Sequence, residues 1–506
     1  MDKENKKGEL HPVWFFVILS IITIVLSAIL SFFGFQGTQT DVSLGSSSTS
    51  LLTVESLLSG SGIKFIVSES INNFLKFTPL GTIIIGLAGV GLMIKTGLLK
   101  SICKRLNKII PRKTMFFTFS LLCIIMGFSV DFSFVIMIPV AAILFTEYKR
   151  SQVVGMTMAF ASVAAGANIN IFLTSIDYSL IELAKSSVNL VDSNYSYGYT
   201  GNLFFVVISS LLLALVISII TEIIARKKPV RIGTEELEIS EKLDKIGFKK
   251  SLLAFVIMCV LLAYAIIPGL PLSGMLLDLK QSAYVDQLFG KNSYFQDGFT
   301  YMMSIFFGIT GITYGISAKT IKNDKDLFNK LKESLSELGI IIVMIFFASQ
   351  FIAIFKESNI GTVIAATMAN ILQSLPFSGA ALIIVAIILI AISNIFVTGS
   401  ISKWVIFSST MVPTFMQLGI SPQFTQFIFR AAESMTNGIT PLLAYFVVYL
   451  GYMNIYNKDY EKPITIRKGL SIMVPYFIGI SLTWLFIILM WYIIGLPLGP
   501  GVYPSL

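Results

Sequence analysis

Eleven apolar stretches run through this 506-residue chain, and the charges between them decide how many can cross a membrane. Segments 99–114, 226–250, 319–332 and 451–469 hold 6, 8, 5 and 4 Lys or Arg. The long segments 35–75, 177–201 and 271–299 hold only 1, 1 and 2. Basic loops stay in the cytoplasm. A path that keeps all the basic segments inside closes only if nine stretches cross and two, about 114–147 and 377–417, enter and leave on one side. The first of these hairpins opens from the cytoplasm and the second from outside, the opposition that an inverted repeat requires.

The sequence therefore predicts an all-α polytopic membrane protein of one domain, residues 1–506, with nine transmembrane helices and two oppositely oriented re-entrant hairpins. Its composition is 55% hydrophobic and 13% charged, against about 25% charge in a soluble chain. A helical span needs about 20 apolar residues and a strand about 10. The stretches here are longer than strands and do not alternate. The run Val13–Gly34 follows a basic cluster and is too long for a signal-peptide core. It reads as an uncleaved first helix with the N-terminus in the cytoplasm, and nine crossings then leave the C-terminus outside. Segment 35–75 reads as loop with a short surface helix, 177–201 as an outer loop, and 226–250 as a cytoplasmic loop with an exposed helix. The +9 net charge lies in cytoplasmic loops without interleaved aromatics, which fits anionic lipid and argues against nucleic acid. Three Cys imply no disulfide framework, and the lone His11 excludes a His-rich metal site.

Polar residues interrupt four apolar stretches in two matched modules. The first module has Gly127–Asp131 at its hairpin tip, then Pro139, and a break at Asn168–Asn170. The second has Thr398–Ser402 at its tip, then Pro413, and a break at Ser434–Pro441. Pro139 to Gln152 and Pro413 to Gln426 are both 13 residues. Broken helices free backbone groups that only a protein-lined cavity can satisfy, and half-helix ends serve as substrate and ion sites.

Arg430 and Glu433 are three residues apart in an apolar stretch, on one helix face and able to pair. A charge within the bilayer costs about 2.5–3.5 kcal/mol. A structural ion pair competes here with Arg430 as a carboxylate-binding residue and Glu433 as its partner or a proton carrier. Asp131, at the first tip, is either a proton-exchanging carboxylate removed from water or a cap of the following half-helix. Asp177 is a relay, a cation site or a boundary residue. Ser400, Ser402, Lys403 and Trp404 form the second tip, where hydroxyls and an indole suit an aromatic or amide-bearing substrate, or simply cap a helix. No GxxxxGK[ST], HExxH or GxSxG is present, so ATP is not a direct energy source and no paired catalytic residues stand out.

Several of these residues stand in an order that resembles the p-aminobenzoyl-glutamate transporter (AbgT) family. They are Phe77-Thr-Pro-Leu-Gly-Thr, Asp131 with Ile138-Pro139, Gly166-Ala-Asn-Ile-Asn before Asp177, Ser402-Lys403-Trp404, Val412-Pro413-Thr-Phe-Met, Leu418-Gly-Ile-Ser-Pro422 and Thr436-Asn437-Gly-Ile-Thr-Pro-Leu442. The resemblance spans about 75–450. It implies a bacterial-type cell membrane protein, a homodimer of subunits with nine helices and two hairpins. The expected activity is uptake of p-aminobenzoyl-glutamate or efflux of sulfonamide antimetabolites, driven by a proton or sodium gradient without a cofactor. It assigns function to Asp177, Asn394, the Ser–Trp element of the second tip, Arg430, the acidic residue three later, and Pro441. This chain departs from the family at Glu433, where the family has Asp, and at Ile401, where it has Ser.

The expectation is a secondary transporter of an organic anion carrying an aryl amide. Arg430 engages a carboxylate, Asn170, Asn394, Asn437, Ser400, Ser402, Trp404 and Pro441 complete the substrate site, and Asp177, Glu433 and Asp131 couple to the ion. Asn168 and Asn437 are candidates for a Na+ site. Alternatives are a dicarboxylate or other organic-anion symporter of the same architecture and, from another class, an intramembrane enzyme or a channel.

Overall fold

The computed structural model describes residues 11–43, 46–227, 239–290, 292–457 and 463–506. The chain opens with α1 (Pro12–Phe32), started by a proline in its first turn and by His11, whose ring accepts the Val13 amide at 3.3 Å. Segment 35–75, expected as loop and helix, holds an antiparallel hairpin, β1 (Gln36–Ser43) and β2 (Ser46–Thr53), with Gln36 opposite Thr53. Its Thr residues are compatible with a strand, though its Ser and Gly also suit a loop. Then come α2 (Gly60–Ser68), α3 (Ser70–Leu75), α4 (Thr78–Thr96) and α5 (Leu98–Ile109), the last a helix where a plain basic loop was expected.

The first module consists of α6 (Met115–Met126), a 3-10 turn at Gly127–Ser129, α7 (Val130–Glu147), α8 (Gln152–Gly166) and α9 (Ser175–Val188). The helix α9 occupies what reads in sequence as outer loop. Next are α10 (Leu203–Lys227), α11 (Glu241–Ile266), α12 (Tyr284–Phe289), α13 (Tyr294–Ser317), α14 (Asp324–Ser336), α15 (Gly339–Glu357) and α16 (Ile360–Ser374). The second module has α17 (Gly379–Phe396), α18 (Ser400–Gln417), α19 (Pro422–Thr436), a 3-10 turn at Asn437–Ile439 and α20 (Ala444–Ile455), and α21 (Ile466–Ile494) follows. Of the loop 226–250, expected to hold an exposed helix, residues 241–250 form the start of α11, and 228–238 lie outside the described residues.

Ten helical stretches among the described residues are long and apolar enough to cross a membrane. One of them, Met115–Glu147, is folded back on itself: the rings of Phe116 and Phe145 stack 5.2 Å apart. Its limb α6 runs parallel to α8, with Ser120 on Ser162 at 2.8 Å and Ile124 beside Gly166. Its limb α7 runs antiparallel to α8, with Phe134 on Phe160 and Phe145 against Gly155. The second module repeats this relation. Asn394 of α17 meets Thr436, whereas Lys403 and Phe407 of α18 meet Glu433 and Phe429, so the chain also reverses between α17 and α18. The two modules face each other antiparallel, because Ala165 bonds Ser434 while Thr157 bonds Tyr449.

Burial separates centre from rim. In Pro422–Ile455 67% of the span is buried, against 17% in α1 and 11% in α11. The broken helices are therefore the core, and the apolar surfaces of α1 and α11 face outward, as lipid-facing helices do.

Each break has a local cause. Asn170 turns its amide onto the backbone, donating to the Ile125 carbonyl at 3.1 Å and accepting the Phe172 amide at 3.1 Å. Such bonds replace the helical ladder. The helix restarts at α9 with a reciprocal capping box between Thr174 and Asp177. In the second module Pro441 forces Thr440 into extended backbone (φ −100°, ψ 123°). The first tip seats on α8 glycine against glycine: a Cβ on Gly127 would lie 2.7 Å from the Gly166 oxygen, and one on Gly166 would lie 2.7 Å from Ile124 Cα. The contacting atoms are backbone and cannot swing aside. We expect Gly166→Val to lose about 1–3 kcal/mol by overpacking, read as a lower thermal midpoint of the purified protein, with Gly198→Val, on open surface, as the neutral control.

Candidate functional site

The site is built around α19, whose 15 residues are all buried. A serine cap and a proline in the first turn start it. One face then carries Gln423, Gln426, Arg430, Glu433 and, just past its end, Asn437, at helical spacing. Tyr195 and Tyr197 donate from the segment after α9 to the side-chain oxygens of Gln423 (2.8 Å) and Gln426 (2.7 Å).

Arg430 and Glu433 do not pair with each other, contrary to the sequence expectation. Arg430 pairs with Asp177 of α9, and Glu433 pairs with Lys403 of α18. Each end of the i,i+3 couple thus reaches a different neighbouring helix, because α19 is packed on both sides. Lys403 and Glu433 are wholly buried, and the Arg430–Asp177 pair nearly so. Buried ions are tolerated when paired, and removing one partner costs about 3–5 kcal/mol because it strands the other. Two cations and two anions balance here. Lys403 was absent from the expected site residues. A charge count could have found it, since Asp177, Arg430 and Glu433 leave one negative charge uncompensated within apolar stretches.

Asn394 joins this ladder to the break. Its amide donates to the Glu433 carbonyl (3.1 Å), Thr436 Oγ1 (2.8 Å) and Asn437 Oδ1 (2.9 Å), and its oxygen accepts from Lys403. Asn437 also donates to the Ala164 carbonyl at 3.3 Å, tying the second break to α8. Ser400 donates to Asn168 at 3.3 Å, so the second tip touches the first break. Pro441 is half-buried in the second break, while Asn170 is spent on the first hairpin. The indole of Trp404 is fully buried, bonded to the Leu180 carbonyl at 2.9 Å and packed on Phe429. It ties α18 to α9. Ser402 is exposed and Asp131 half-buried, both apart from the ladder. Asn437 Oδ1, expected as a cation ligand, is taken by Asn394.

On the α19 face three buried donors have no protein partner among the described residues: Gln423 Nε2, Gln426 Nε2 and Arg430 Nε. They follow one another along the α19 face and call for acceptor oxygens. No group of three or more His, Cys, Asp or Glu that could hold a metal ion occurs among the described residues.

A model of the AbgT putative transporter family matches residues 5–506. The chain belongs to that family. It is 28% identical over 500 residues to the p-aminobenzoyl-glutamate transport protein of Escherichia coli K12, a match covering 98% of this chain and 94% of the relative. Two solved structures are similar to this AbgT-family chain. The YdaH transporter of Alcanivorax borkumensis, described as having an unusual topology, shares 26% identity at a TM-score of 0.50 over 97% of this chain and 100% of its own. MtrF of Neisseria gonorrhoeae, described as illuminating a class of antimetabolite efflux pumps, shares 28% identity at a TM-score of 0.50 over 98% of both chains. The chain is accordingly a multi-pass membrane transporter of small molecules and not an enzyme.

The ladder predicts a double-mutant pattern. Asp177→Asn and Arg430→Gln alone should each lower stability by about 3–5 kcal/mol, and the double variant should lose less than the sum of the two by at least about 1.5 kcal/mol. Thermal unfolding in nanodiscs measures this. Additive losses would mean that the pair is not energetically coupled.

Proposed function

We propose that this AbgT-family protein is a gradient-driven secondary transporter of organic anions that carry an aryl amide, such as p-aminobenzoyl-glutamate, or an exporter of sulfonamide antimetabolites. The observation that carries this reading is the row of donors on α19 that ends at Arg430, whose Nε is unpartnered while its other end holds Asp177. Acceptor oxygens of a carboxylate answer both features. The substrate carboxylate competes with Asp177 for Arg430, and the side-chain amides of Gln423 and Gln426 line its approach.

That competition supplies a coupling scheme for uptake, in which ion and substrate move together. A proton on Asp177 removes its charge and frees Arg430 for the substrate. Loss of the proton on the other side restores the Asp177–Arg430 pair and displaces the substrate. A cation that neutralises Asp177 would act in the same way, so proton and sodium gradients both fit. Glu433, held by Lys403, and Asp131 at the first tip are the other carboxylates available for coupling. Asn394, Asn437, Ser400 and Pro441 shape the hinge between the hairpin tips, and Asn168 with Asn437 is the candidate Na+ site once Asn394 releases the Asn437 oxygen. Alternating access would rock the α6–α7 and α17–α18 hairpins against the breaks that they touch.

In the membrane we place nine crossings and two re-entrant hairpins, N-terminus in the cytoplasm, C-terminus outside, in a homodimer. Cysteines at positions 113 and 149, both exposed, should then react with an impermeant maleimide from the cytoplasmic side only. Cysteines at 378 and 419, also exposed, should react from outside only. Opposite sidedness within either couple would remove the re-entrant assignment.

The decisive experiment is flux of radiolabelled p-aminobenzoyl-glutamate and of a sulfonamide in proteoliposomes under imposed pH and Na+ gradients. The wild type should move one of them in a gradient-dependent way. Arg430→Gln, Asp177→Asn should bind the substrate at least tenfold more weakly, since a charged hydrogen bond contributes about 1.5–3 kcal/mol. Flux of dicarboxylates without competition by aryl compounds would favour the organic-anion symporter instead.

A further inference from the structure

A cavity of about 530 Å³ opens beside the first hairpin tip, and none of the α19 residues lines it. Its volume is in the range of small-molecule sites. Phe128 of the 3-10 tip, Phe172 of the α8–α9 break and Phe299 of α13 supply its aromatic wall, and its polar lining includes Asp131, Thr174 and Asp297. The rings form an edge-to-face chain: Phe128 lies 6.3 Å from Phe172 and 5.4 Å from Phe299, and Phe295 continues it at 5.6 Å from Phe299. Such rings accept another aromatic ring in the same offset or edge-on geometry. Phe172 remains 58% exposed, so this aromatic surface is not consumed by the core.

The polar groups of this cavity differ in sign from those along α19. No Lys or Arg among the described residues lines it. The Asp297 carboxylate makes no hydrogen bond or ion pair to a described residue, and it lies in the first turn of α13. The cavity therefore offers a carboxylate no basic side chain, and it offers a hydrogen-bond acceptor beside stacked rings. A full cation is the less suitable guest. The N-terminal turns of α7, α9 and α13 line the cavity, and each carries about half a positive charge, which offsets the two carboxylates. A neutral ring bearing N–H donors satisfies both rings and acceptors without meeting that opposing field.

We propose that this cavity is an aryl-amine subsite, with the ligand ring packed against Phe128, Phe172 and Phe299 and its amine donating to Asp297. The inference deepens the transport reading above and rests on it for the nature of the physiological ligand. Thr174 connects the two sites. It lines the cavity and donates through its amide (2.8 Å) and Oγ1 (2.7 Å) to Asp177 Oδ2, while the other Asp177 oxygen holds Arg430. A ligand with an amine at one end and a carboxylate at the other would be read at both ends of this relay.

The test is equilibrium binding to the full chain in nanodiscs with three probes that lack a carboxylate: 4-aminobenzamide, benzamide and 4-(trimethylammonio)benzamide. The wild type should bind 4-aminobenzamide about tenfold more tightly than the other two, the low end for a hydrogen bond to a charged group. Asp297→Ala should erase that preference and leave benzamide unchanged. Phe128→Ala should weaken all three about three- to tenfold. Equal binding of 4-aminobenzamide and benzamide, or indifference to both substitutions, would overturn the proposal, and tighter binding of the trimethylammonium probe would replace it with an aromatic-cation site. Should p-aminobenzoyl-glutamate move with unchanged KM in both variants, the subsite falls and the transport reading stands. Should 4-aminobenzamide binding respond as stated while no flux occurs, the subsite stands and the substrate assignment falls.

Discussion

Four charges sealed inside an apolar bundle are tolerable only as two pairs, and that requirement organises the centre of this protein. Arg430 and Glu433 on α19 draw Asp177 and Lys403 from flanking helices, so α9, α18 and α19 hold a common register. Neither pair is strong evidence for stability in itself, because desolvation consumes most of what attraction returns. Their physical effect is that no member can leave unless another charge, or a proton, takes its place.

The breaks give this arrangement room to change. Asn170 and Pro441 interrupt helices at the depth where the hairpin tips arrive, and Asn394, Asn437 and Asn168 bond across the gaps. Side-chain amides suit the task because each both donates and accepts, so a bond lost in one arrangement can be replaced in another. The seat of Gly127 on Gly166 brings two backbones close enough for the tip to bear on α8 without side chains between them.

Much of this was legible along the chain. Apolar length marks the helices, and polar interruptions at Gly127–Asp131 and Gly399–Ser402 mark where the chain reverses. The family motifs pointed to Asp177, Asn394 and Arg430, which the structure gathers around α19. Other features were not legible. The helix α5 was hidden in a run of lysines read only as charge, and β1–β2 in a stretch of Ser and Thr that suits loop or strand equally. The matched 13-residue spacing from Pro139 and Pro413 does not mark equivalent positions, since Gln152 begins α8 while Gln426 lies one turn into α19.

The sequence by itself determined the class of the protein, the approximate extent of its helices, the family to which it belongs, and the residues too costly to bury without use. These follow from hydropathy and charge, which add up along the chain and need no knowledge of neighbours. The tertiary structure alone decided the partners. The i,i+3 spacing of Arg430 and Glu433 permits a bond between them, yet α9 and α18 present Asp177 and Lys403 on either side of α19, and burial there leaves each ion no solvent to fall back on. The partner of the Trp404 indole, the Leu180 carbonyl on α9, likewise could not be read from the tip sequence. Which faces meet is set by close packing between segments far apart in the chain, and no local pattern encodes that distance.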